Sequence, residues 1–128
     1  MTRSKLLLSA SALFFGLAGA GATFLPVELL THVRQPGARI LVVFIQALGA
    51  LYLALAMLNW MSRGATIGGI YGRPLVVANL LYFMMTGIVL ARWAAESAPP
   101  GIMVLAAIHV LFAVCFGAVM FGSPKSHA

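Results

Sequence analysis

Charge is scarce in this sequence. Asp, Glu, Lys and Arg make up 8% of its 128 residues, against roughly a quarter in a soluble domain. Its only acidic residues are Glu28 and Glu96, and no charged residue falls in the middle of any long apolar run. That absence excludes a proton-coupled exporter of the small four-helix type, which needs an embedded carboxylate to exchange protons for a cation. It excludes a voltage sensor or an ion-paired relay on the same ground. Cysteine is nearly missing too. Cys115 stands alone inside an apolar run, so no internal disulfide and no thiolate metal site is available, and it reads as a small buried apolar residue. No metal site or catalytic triad is expected. No serine has a histidine and an acid placed beside it, and His32 and His127 fall in a loop and a tail, leaving His109 without a second imidazole for haem. Nor does the formal net charge of +6 indicate a nucleic-acid partner. The basic residues stand singly at the ends of apolar runs, and no basic stripe exists for a phosphate backbone to follow.

What is present is apolar sequence, 62% of the chain. It gathers in four segments, about 6–25, 40–61, 74–93 and 102–121, each near the ~20 residues that cross a ~30 Å hydrocarbon core. None alternates polar with apolar, and a lone short chain cannot close a barrel, so helices are expected rather than strands. The breaks carry turn residues. Pro26 ends the first segment, and Gln35, Pro36 and Gly37 precede the second. A glycine-rich stretch (Gly64, Gly68, Gly69, Gly72) leads into Pro74, and Ser97 to Gly101, with Pro99 and Pro100, separates the last two. Short connections make consecutive helices antiparallel neighbours. The expected fold is all-α, a single membrane domain over 1–128 forming an antiparallel four-helix bundle.

Orientation follows from the basic residues. Arg3, Lys5, Arg63, Arg73 and Lys125 would lie on one side and Arg34, Arg39 and Arg92 on the other. The richer side faces the cytoplasm, which puts both termini and the central loop there. Trp60 and Trp93 fall at segment ends, where an amphipathic ring prefers the interface. The N-terminus has a competing reading. Arg3, Lys5, an apolar stretch and the small residues Ala18 to Ala22 also resemble a secretory signal with its cleavage site. In the four-span reading, Gly16, Ala20 and Thr23 instead allow close approach of a neighbouring helix.

Polar side chains inside the segments are costly, so each needs a reason. The candidates are Gln46, Asn59, Asn79, Thr86 and His109. Gln46 and His109 each lie about 10–12 Å below the outer end of their helices at 1.5 Å per residue. They form a candidate intramembrane site for a small ligand such as a quinone headgroup, set against plain interhelical hydrogen bonding. Asn79 and Thr86, seven residues apart, share a helix face near Tyr82. An offset of 63 residues, which pairs Pro36 with Pro99, Ile45 with Ile108 and Gln46 with His109, suggests a weak internal repeat of two helical hairpins. The central loop is a second candidate site: Trp60, Arg63, Tyr71 and Arg73 could hold lipid phosphates or an acidic partner loop. Its glycines do not match a phosphate-cradling motif.

The four-segment layout, the Pro/Gly turns and the run Gly49-Ala50-Leu51-Tyr52-Leu53-Ala54-Leu55-Ala56 resemble the small four-helix bacterial membrane proteins grouped as DoxX-like. The resemblance implies a bacterial cytoplasmic membrane location. It also implies a link, in part of that group, to quinone-dependent oxidation of sulfur compounds, with no functional residue of the group mapping onto this chain. The expected function is therefore a non-catalytic multi-pass protein, either an accessory subunit of a larger membrane complex or a self-associating bundle in the lipid bilayer. A quinone-linked redox component, with quinone as its one conceivable cofactor, and a small transporter or channel are the alternatives. The orientation is directly testable. A reporter active only in the cytoplasm should be active when fused after Ala128 and silent when inserted beside Ser97; the reverse pattern refutes the orientation drawn from the basic residues.

Overall fold

A computed structural model of the chain describes residues 3–35, 37–64 and 72–122. Among these, all regular structure is helical: α1 (Arg3–Phe24), α2 (Pro26–His32), α3 (Arg39–Ser62), α4 (Gly72–Glu96) and α5 (Pro100–Phe121). Four of them, with 22, 24, 25 and 22 residues, are long and apolar enough to cross a membrane. Their ends fall within three residues of the boundaries expected from the apolar segments. Proline does at α5 what its chemistry allows. Pro100 sits in the first turn, where its missing N–H has no intrahelical partner to lose.

The short helix α2 departs from expectation. The first span does end before Pro26, but the connection expected to be a loop begins with a helix that Pro26 starts. The backbone breaks at Leu25, with φ −126° and ψ 44°, and Pro26 then supplies a φ already suited to a first helical turn. Leu25 still donates to the Gly21 carbonyl at 2.8 Å, and its own carbonyl accepts from Leu29 at 3.1 Å, so little hydrogen bonding is lost at the bend. Pro26 and Leu30 are buried, anchoring α2 onto α1 and α3. The helix closes when Arg34 turns left-handed at φ 60°, and the Gln35 N–H bonds back to the Leu30 carbonyl at 2.9 Å. This is the glycine-type helix stop made without glycine.

The chain divides into two compact units, residues 1–64 and 65–128. In the first, α1 and α3 form an antiparallel hairpin, with Ser11 level with Asn59 and Gly19 level with Gly49. The two glycines bring the backbones into contact. A Cβ on Gly19 would stand 2.9 Å from the Gly49 carbonyl oxygen, and one on Gly49 would stand 2.8 Å from the Thr23 nitrogen and collide with the Thr23 hydroxyl. Lipid tails are as apolar as the helices, so such packing, rather than expulsion from water, is what holds membrane helices together. In the second unit, α4 and α5 form an antiparallel hairpin built on aromatic rings. Phe83 stacks on Phe112 at 4.6 Å and on Phe116 at 5.8 Å between centroids. Gly87 faces His109 across this hairpin, more loosely than Gly19 faces Gly49, since a Cβ there would meet His109 Cβ at 3.4 Å.

The two hairpins repeat one pattern. Leu8, Ser11, Phe15 and Gly19 are buried on α1, and Val76, Asn79, Phe83 and Gly87, each 68 positions later, are buried on α4. Their partners repeat at a spacing of 60. Phe15 meets Tyr52 as Phe83 meets Phe112, and Gly19 meets Gly49 as Gly87 meets His109. The difference of eight is room for α2 in the first connection. By packing, the equivalent of His109 is therefore Gly49, and Gln46 corresponds to Ala106; the expected pairing at 63 does not hold.

The crossings differ enough to be told apart by mutation. Gly49→Ala should destabilise the folded protein by about 1–3 kcal/mol, as overpacking does. Gly87→Ala, where the methyl meets ordinary contacts, should change stability by less than about 1 kcal/mol in either direction. Unfolding midpoints in mild detergent measure both, and equal losses would refute the backbone contact at Gly49.

Candidate functional site

The polar candidates are most developed at His109, on the α5 face turned to α4. The side chain is 2% exposed. Its Nδ1 lies 2.7 Å from the Leu105 carbonyl oxygen one turn earlier, an acceptor only, so Nδ1 carries the proton and donates. In the neutral ring Nε2 is then the acceptor, and the Tyr82 hydroxyl, 3.2 Å away, donates to it. One bond thus dictates the tautomer and the tautomer dictates the second bond. Phe83 stands edge-on to the imidazole at 5.5 Å, and the Tyr82 ring is tilted against it at 5.7 Å. The result is a histidine with both nitrogens engaged, walled by aromatics. Chemically it can pass a proton between Tyr82 and its own ring. To bind a metal or haem at Nε2 it would have to release Tyr82.

The first hairpin carries a different polar chain. Asn59, fully buried, donates from Nδ2 to the Ser11 hydroxyl at 3.0 Å, and that hydroxyl donates to the Leu8 carbonyl at 3.1 Å. These two bonds link α3 to α1 and end on backbone at Leu8. Gln46 lies farther along the same hairpin. It is exposed and donates from Nε2 to the Thr23 carbonyl at 3.3 Å. Gln46 and His109, proposed from sequence as one site, each bond within their own hairpin. Asn79 is buried and donates to the Leu75 carbonyl at 2.9 Å. Thr86, half-buried, lies two turns further along α4. Thr23 Oγ1 is the one buried side-chain oxygen or nitrogen among the described residues without a hydrogen-bond partner, a cost of its close seat against Gly49.

The central-loop candidates are partly described. The Arg63 guanidinium lies 3.4 Å above the centre of the Trp60 ring, within the range of a cation–π contact, and Trp60 is half exposed. Arg73 is exposed in the first turn of α4. Tyr71 and the glycines 68 and 69 lie outside the described residues.

Sequence reading missed two pairings, Ser11 with Asn59 and Tyr82 with His109. Each partner was visible as a polar residue in an apolar run. What joins them is helix register, and the signal that could have found it was the shared spacing of Ser11, Phe15, Gly19 and Asn79, Phe83, Gly87. Comparison of the chain with protein-family models, with curated proteins and with solved structures found no match.

The Tyr82–His109 bond predicts a measurable coupling. Tyr82→Phe and His109→Leu should each weaken the fold, and the double variant should lose less than the two single losses together. The coupling should be about 0.6 kcal/mol, the average for interhelical hydrogen bonds between membrane helices. A double-mutant cycle from detergent unfolding measures it, and strict additivity would refute the pair.

Proposed function

We propose that this chain is a four-span integral membrane protein with a non-catalytic role, as an accessory subunit of a membrane complex or as a self-associating bundle. One observation carries the reading: the distribution of polarity is inverted relative to a soluble protein. Ser11, Asn59, Asn79 and His109 are 0–2% exposed, while Leu13, Leu17, Leu51, Val89, Leu111 and Val114 are each more than 60% exposed. Apolar surface of that extent needs a cover, and hydrocarbon supplies it along the whole length of four helices. With four crossings, the positive-inside rule puts the termini and the central loop in the cytoplasm of a bacterium. The DoxX-like resemblance belongs to the same proposal.

The non-catalytic assignment rests on the bonds just described. Polar bonds join α1 to α3 at Ser11 with Asn59 and at Thr23 with Gln46, and α4 to α5 at Tyr82 with His109, and such bonds contribute to helix association. A second reading, a quinone-linked redox component, has one observation in its favour. Tyr82 and His109 form a hydroxyl–imidazole pair, the kind of group that hydrogen-bonds and protonates a quinone oxygen.

Extraction in mild detergent, followed by size-exclusion with light scattering, decides between them. A protein mass well above the 13.5 kDa of one chain is expected, either as a multiple of that mass or with a co-purifying protein. A monomer carrying stoichiometric extractable quinone would overturn the proposal in favour of the redox reading. A monomer with neither quinone nor partner would overturn both forms of it.

A further inference from the structure

We propose that the α1–α3 hairpin holds one anionic phospholipid, with an acyl chain lying in the groove between the two helices and its phosphate on Arg63. The inference rests on the membrane reading above and adds a specific ligand to it. A groove of about 410 Å³ runs between α1 and α3 and ends at Trp60. Its floor is open because the residues there are small. Ala12 is buried, and a Cβ placed on Gly16 would touch only Ala56 Cβ, at 3.9 Å. Its walls are long apolar side chains that stand out from the helices, Leu17 at 68% and Met57 at 60% exposure. Apart from the Trp60 indole and the weakly accepting Met57 sulfur, no lining side chain bears a hydrogen-bonding group, so the occupant is hydrocarbon. From Trp60 to Leu53 the groove descends about 10 Å at 1.5 Å per residue, the reach of the upper part of one acyl chain.

Charge decides between an acyl chain and a second helix. The hairpin is antiparallel, so the start of α1 and the end of α3 lie together, bringing Arg3, Lys5 and Arg63 to the end where the groove reaches Trp60. The one acidic side chain of this unit, Glu28, is on α2, next to the opposite end of α3. Three cations without a carboxylate among them, at the mouth of a hydrocarbon slot, complement a lipid that carries its negative charge one acyl chain's length from its tail. Arg63 is also pre-positioned. Stacking 3.4 Å over Trp60 occupies the flat face of the guanidinium and leaves its N–H edge for phosphate oxygens, which it can grip with two parallel bonds. Trp60 at the interface fixes the height of that grip.

The test uses the full chain reconstituted in phosphatidylcholine vesicles with and without phosphatidylglycerol, extracted gently and weighed by native mass spectrometry. One phosphatidylglycerol per chain should be retained in preference to phosphatidylcholine. Gly16→Leu fills the groove without changing charge, and Arg63→Gln removes the headgroup contact; each should lower retention at least about five-fold. Equal retention of both lipids, or unchanged retention in both variants, overturns the proposal. So does a Gly16→Leu variant that keeps its lipid but loses an oligomer, which would make the groove a contact with a second copy. Resistance of the wild-type chain to alkaline extraction from the vesicles is scored separately. If it fails, the membrane reading itself fails; if it holds while no lipid is retained, only the lipid site does.

Discussion

A buried polar atom must find a partner, and in a helix surrounded by apolar side chains the partners within reach are few. That constraint organises both hairpins. His109 has the Leu105 carbonyl below it and the Tyr82 hydroxyl across from it. Asn59 has Ser11, and Ser11 has the Leu8 carbonyl. Each arrangement sets a helix register, because sliding α5 by one residue along α4 would turn His109 away from Tyr82. An unpaired polar group costs more than the bond itself contributes, so these few residues specify alignment more than they add stability.

The two hairpins satisfy that constraint on one shared plan with different materials. At matching positions each has a polar residue, a phenylalanine and a glycine on its first helix. The first hairpin then brings backbones together through Gly19 and Gly49 and uses small side chains beyond the crossing. The second holds its helices apart with His109 opposite Gly87 and fills the space with Phe83, Phe112 and Phe116. The difference has a functional consequence. Small residues along α1 leave the open groove that ends at Trp60, while the aromatic cluster of the second hairpin buries its centre and encloses the histidine. The candidate lipid site and the candidate proton-handling pair therefore arise from opposite solutions to the same packing problem.

Helix α2 shows how a local residue type can be read correctly and still mislead. Proline does break the backbone at residue 26, as its chemistry requires. It was equally suited to begin the next helix, and the choice between loop and helix depended on whether Leu30 had a surface to cover. It has one, being 5% exposed, and that surface is made by the flanking helices α1 and α3 and by Gly37.

By itself the sequence determined the helical class, the four long apolar elements, their ends to within three residues and the inventory of polar side chains they carry. These are local properties: apolar length sets span length, and glycine, proline and charge set the breaks. Only the tertiary structure decided which polar residue meets which. Gln46 and His109 looked equivalent because they lie at similar depth on their helices, but depth says nothing about which face of a helix meets its neighbour. That is settled by which residues two helices press together, Gly19 against Gly49 and Gly87 against His109, and such a fit depends on the combined shape of two surfaces that no single stretch of sequence contains.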